Sequence, residues 1–184
     1  PLALRGNLES MDINKKNENG YDLTAVLFTP DKESPGTVES LVDFSEKVDA
    51  TWQHSPDGKK HEVTLTNVPA GMEGERTLRL SVSSNKLGVE KADVVTVNIP
   101  DQNDFSVYDV VYVSEPECYV EVAFTKLLDS AQDMRGLAFI AGNTSETVNV
   151  DGNKLRLYPD ADLREKGAMN IHLNQGIRSK SGLN

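Results

Sequence analysis

The chain of 184 residues carries 19 basic and 29 acidic residues, a formal charge of −10 and a pI near 4.8. That balance excludes a nucleic-acid or anionic-membrane surface, since both need clustered Lys and Arg, and it suits solubility. A single cysteine, Cys118, excludes an intrachain disulfide, and no apolar run approaches the roughly 18 residues of a membrane-spanning helix.

Period-2 alternation dominates in chain order. Residues 21–28 read as a strand stopped by Pro30. Residues 32–37, with Pro35-Gly36, read as a turn or loop, and 37–47 as either a short helix or a half-buried strand. Strands are predicted at 61–66 and 76–82, and a β-branched one at 93–99 ended by Pro100. After the polar run Pro100-Asp-Gln-Asn-Asp104, strands are expected at 105–113 and 117–124. In the second of these, Cys118, Val120, Val122 and Phe124 face inward, and Glu117, Tyr119 and Glu121 outward. Residues 137–140 and 147–150 follow. Asp151-Gly152 predicts a hairpin into 154–158, and 168–173 is the last strand. Short strands at this spacing, punctuated by turns, predict an all-β chain of β-sandwiches.

The chain also repeats itself. The Asp57-Gly58 and Asp151-Gly152 turns lie 151 − 57 = 94 residues apart, while Phe28 and Phe124, like Leu41 and Leu137, lie 96 apart. A near-constant offset predicts two tandem copies of one β unit, residues 1–100 and 105–184, joined at 100–104. The start at Pro1, without an initiator Met, is what a segment excised from a longer protein would show.

Three stretches of the second copy carry a resemblance. They are Val120-Glu-Val-Ala-Phe-Thr-Lys-Leu-Leu-Asp129 running on to Met134-Arg-Gly-Leu137, the hairpin Val150-Asp-Gly-Asn-Lys-Leu-Arg-Leu-Tyr-Pro159, and the closing segment Ala168-Met-Asn-Ile-His-Leu-Asn-Gln-Gly-Ile177 to Leu183. Together they resemble the N-terminal immunoglobulin-like domains of bacterial alpha-2-macroglobulins. The resemblance covers 105–184 directly and the first copy only through the repeat. It implies two tandem immunoglobulin-like β-sandwich domains in a periplasmic or cell-envelope protein that traps proteases. Their partners would be neighbouring domains of a larger chain, with proteases met through the parent and any membrane anchor outside these residues. The family's thioester motif, Cys-x-Glu-Gln, is not matched, because Cys118 is followed by Tyr119, Val120 and Glu121. That implies a scaffold role without catalysis. The alternative is an adhesin, surface-layer or glycan-binding pair of β modules.

No motif predicts catalytic, cofactor or metal-binding residues. Cys118 alternates with Val120 and Val122 and is expected to be a buried structural thiol. His54, in the turn-like run 53–58, and His61 and His172, on strands, lack metal-ligand spacing. Asp101-Gln-Asn-Asp104 offers oxygens for calcium at the joint, with Asp160-Ala-Asp162 as a weak echo, but the expected reading is a solvated linker. Asn143-Thr-Ser145 spells a glycosylation sequon and Asp129-Ser-Ala131 a short acceptor string. Trp52, Tyr108, Tyr112 and Tyr119 are candidate members of a sugar-binding aromatic platform, with core and sheet-surface roles the expected reading.

Overall fold

The computed structural model describes residues 4–82, 93–145 and 147–184. It is mostly antiparallel strand, and the chain divides into two compact units, Pro1–Gln102 and Asn103–Asn184.

The first unit has β1 (Arg5–Asn14), β2 (Asn17–Phe28), α1 (Pro35–Leu41), β3 (Val42–Phe44), β4 (Asp49–His54), β5 (Lys60–Pro69), β6 (Arg76–Val82) and β7 (Asp93–Ile99). One sheet runs β1-β2-β5-β4 and the other β3-β6-β7. Inward residues of both, among them Tyr21, Leu23, Leu27, Leu65, Leu78 and Leu80, are fully buried, each large aliphatic contributing about 1.5–3 kcal/mol. The 37–47 ambiguity resolves as both options in sequence. Ser34 caps α1 by accepting from the Thr37 amide, and Pro35 sits in its first turn. Val38 and Leu41 bury one face, and the β-branched Val42 then opens β3. At the other rim β1 lies beside β7, and a Cβ on Gly6 would fall 2.5 Å from Val94 Cγ1, so this close approach needs glycine.

The second unit has β8 (Val107–Val113), β9 (Tyr119–Phe124), β10 (Ala138–Ile140), β11 (Val148–Asp151), β12 (Lys154–Leu157), α2 (Ala161–Lys166) and β13 (Ile171–Leu173). Its sheets run β11-β12-β9-β8 and β10-β13. The core gathers Val120, Val122, Phe124, Leu128, Met134, Leu155 and Leu157. The hairpin is as the Asp-Gly pair predicts: Asp151 pairs with Lys154 across Gly152-Asn153. Gly152, at φ 63, is the only one of the two loop residues with positive φ, which is the pattern of a type II′ turn.

The two units repeat one topology. The order β1-β2-β5-β4 recurs as β8-β9-β12-β11, and the β3-β6 pairing recurs as β10-β13 with the same register, Phe44 opposite Leu80 and Ile140 opposite Ile171. The offset at the phenylalanines needs correction, however. The Thr29 amide donates to Lys59 O in unit 1 and the Phe124 amide to Asn153 O in unit 2, giving 124 − 29 = 95 on one strand and 153 − 59 = 94 on the other. The Glu33 amide to Gly58 O and the Leu128 amide to Gly152 O repeat the same pair of offsets. Phe124 therefore corresponds to Thr29, not Phe28. Because strand side chains alternate, the one-residue slip reverses the face: Phe28 is 46% exposed and Phe124 only 4%. What unit 2 lacks, among its described residues, is any strand corresponding to β7.

Candidate functional site

A polar cluster around the buried His61 was not expected from sequence. His54 does not lie in a turn; it ends β4 directly opposite His61 on β5. The two Nδ1 atoms are 2.8 Å apart, His54 Nε2 lies 3.0 Å from Glu39 Oε1 on α1, and His61 Nε2 lies 3.4 Å from Thr29 Oγ1. Trp52 stacks on the His54 ring. Two Nδ1 atoms this close need one donor and one acceptor, so only one of them carries hydrogen. Burial, and then the neighbouring His54, hold the His61 pKa below that of a free imidazole. The string Glu39–His54–His61–Thr29 has the components of a proton relay but no outlet, because Thr29 is buried and its hydroxyl donates to Asp31 O at 2.7 Å. Its action is to clasp α1, β4, β5 and the residue that follows β2. The readable signal was the hairpin itself, since symmetric strands around Asp57-Gly58 place residues 54 and 61 opposite each other.

On the outer face of the second unit, Glu121 on β9 receives Lys154 Nζ at 2.9 Å and Arg156 Nε at 3.0 Å, both from β12. Burial pushes the Glu121 carboxyl up, but the hydrogen bonds and charges of Lys154 and Arg156 outweigh it and leave the pKa lowered. The Arg156 guanidinium lies 5.2 Å from the Tyr119 ring centroid, and Tyr119 meets Tyr158 at 5.8 Å. The candidate tyrosines of the second unit do not form one platform. Trp52 belongs to the first unit, and Tyr108 lies 3.4 Å from Asn153 Nδ2. Tyr112 shares a face with its partner Val120, whereas Tyr119 lies on the opposite face.

Cys118 also departs from expectation. It precedes β9 and is half-buried, and its Sγ shares a 2.8 Å hydrogen bond with Tyr112 Oη. That bond raises the phenol pKa of Tyr112.

The polar joint residues serve as backbone anchors. Asp101 Oδ2 accepts from the Gly74 amide in the first unit, and Asp104 Oδ2 accepts from Ser106 Oγ in the second. Asp160 precedes α2 with its carboxylate turned back to the Thr144 amide and hydroxyl, whose hydrogen bonds lower its pKa, and Asp162 lies in the first turn of α2. Among the described residues, no three His, Cys, Asp or Glu side chains are placed to hold a metal ion. Asn143 is committed inside the fold: its Nδ2 donates to Ser145 O and Tyr158 O, and its Oδ1 accepts from the Asp160 amide. Asp129 Oδ1 accepts from the Ala131 amide in an exposed turn. His172 stacks on Phe139 at the sheet surface.

The largest exposed apolar feature lies on β8. Val110 pairs with Val122 and Tyr112 with Val120. Cross-strand partners share a face, so Val110 and Tyr112 point to the core side. Yet they are 53% and 49% exposed, and Val107, opposite buried Phe124, is exposed as well. Soluble domains seldom leave such a contiguous patch bare without a partner for it.

Comparison with known proteins finds no match: no family model fits the chain, and no curated protein or solved structure is significantly similar to it.

Proposed function

We propose that the chain is a non-catalytic pair of immunoglobulin-like β-sandwich domains acting as scaffold within a bacterial alpha-2-macroglobulin of the periplasm or cell envelope. The observation that carries the reading is the strand order. With strands lettered A to G in chain order, unit 1 is A-B-E-D over C-F-G and unit 2 is A-B-E-D over C-F, the layout of a constant-type immunoglobulin sandwich. The motifs of residues 120–137, 150–159 and 168–183 add the family likeness. A closed polar clasp and anchored joint residues suit a part that positions neighbours and performs no chemistry. The parent would enclose proteases, and this pair would contribute stiffness.

The test is the full reading frame and its product. The proposal expects a chain of well over a thousand residues whose purified form retains endoproteases in a complex that excludes large inhibitors. A short frame, or one of β repeats alone with no retention of proteases, overturns it. That result would favour an adhesive or glycan-binding module, for which the Tyr119–Tyr158–Arg156 cluster is the best-formed surface, and Tyr119→Ala would then abolish binding on a glycan array.

A further inference from the structure

We propose that the second unit is a strand acceptor: it takes up an extended, alternately β-branched segment supplied from outside these residues, laid antiparallel along β13 and closing over β8. The inference stands on the repeat within the chain and holds whichever parent the pair serves.

The first unit shows what the vacant place takes. There β7 pairs antiparallel with β6, Leu78 opposite Val97 and Leu80 opposite Val95, and runs beside β1. Its Val95, Val97 and Ile99 are buried, so one strand completes a sheet and covers the rim of the other. In the second unit every other strand has its counterpart. β13 pairs with β10 on one side, and no described strand pairs with it on the other. The two elements that β7 would touch are the two left bare. On β13, Leu173 stands opposite Ala138 as Val82 stands opposite Val42, but Leu173 is 36% exposed and Val82 only 6%. On β8, the core-side residues Val107, Val110 and Tyr112 are open.

Five of the seven exposed large hydrophobics among the described residues, Val107, Val110, Val111, Tyr112 and Leu173, lie on these two strands. All but Val111 face the core side, so the exposure follows the missing lane and is not scattered over the surface. An incoming strand would gain backbone hydrogen bonds from the β13 edge and pockets for alternate side chains from β8, the usual division of labour in strand addition.

In unit 1, the loop at the position of α2 offers the Gly74 amide to Asp101, just past the end of β7. The occupant is therefore an alternating Val/Ile strand followed by an acidic residue, the pattern of residues 93–101.

The test uses the whole chain, labelled with 15N, titrated with a synthetic peptide of residues 93–101. Saturable shifts are expected at β8 and β13 amides, while β1 and β6 stay still. The same peptide carrying Val95→Asp and Val97→Asp should leave the spectrum unchanged. Val110→Lys in the protein, at an exposed position that folding tolerates, should weaken peptide binding by about tenfold or more. Absence of shifts up to millimolar peptide, or equal shifts with the doubly substituted peptide, overturns the proposal. So does sedimentation as a dimer with β8 already protected, since a second copy would then fill the lane.

Discussion

The first unit arranges seven strands in two antiparallel sheets, and the second repeats six of them among its described residues. Val82 on β6 is buried under β7, whereas its register partner Leu173 on β13 is open. Strand order and pairing therefore do not by themselves bury a core. In unit 1, β7 pairs with β6 and lies beside β1, whereas in unit 2 no described strand does the same and β8 is an edge with valines on both faces. An exposed hydrophobic edge strand is an aggregation hazard that native proteins cover or charge.

The sharpest way to break the comparison is at the phenylalanines, where the largest effect is expected. Phe124→Ala removes a buried ring stacked on Phe105 and should cost about 3–5 kcal/mol in urea unfolding followed by circular dichroism. Phe28→Ala, at an exposed position, should cost under about 1 kcal/mol. Equal losses would mean that the 96-residue offset, not 95, describes these strands.

Next comes the pair that differs only in cover. Leu80→Ala on β6 should cost about 2–5 kcal/mol, and Trp52, the only tryptophan and a member of unit 1, reports it by fluorescence. Ile171→Ala, at the matching position of β13 but half-buried, should cost clearly less. Comparable losses would contradict an uncovered β13.

A smaller, pH-dependent difference follows from the histidine clasp, which only unit 1 possesses. His61 has a folded pKa below its unfolded value of about 6.5. The unfolded chain thus binds its proton first, and the stability that neutral His61 supports, full above about pH 6.5, declines as pH falls through the folded pKa. The melting temperature followed at Trp52 should drop between pH 7 and pH 5, and His61→Leu should flatten that slope. A slope unchanged by the substitution would remove His61 from the account. Least of all, Glu121→Gln should cost about 1 kcal/mol or less, because its partners remain partly solvated; the loss should shrink in 1 M salt.

Sequence reading reached the elements whose local chemistry agrees with their place. β6 and β7 were legible to the residue because alternation and Pro100 bound them, and the Asp151-Gly152 hairpin because its glycine must take positive φ. β1 was missed because a register shift between Leu8 and Ser10 breaks its alternation. β4 was missed because Asp49–His54 is an edge strand with little apolar content, and with it went the histidine pair, which exists only once β4 lies against β5. α2 was missed because its six residues bury a single side chain, Leu163, too little to set up a helical pattern. Cys118 read as buried because alternation predicts a face and cannot tell whether that face is covered. The strand acceptor was illegible for the same reason: β8 is as apolar as a core strand, and only its register against β9 and the exposure of its core-side residues reveal the vacancy.

Residue-resolved amide hydrogen exchange of the intact chain tests that vacancy most directly, since protection follows local closure. The account predicts that β6 amides exchange slowly on both sides of the strand, while β13 amides not bonded to β10 and those on the outer edge of β8 exchange faster by about a hundredfold or more. Equal protection of β6 and β13 would contradict it, because something within these residues would then already cover the free edge of β13.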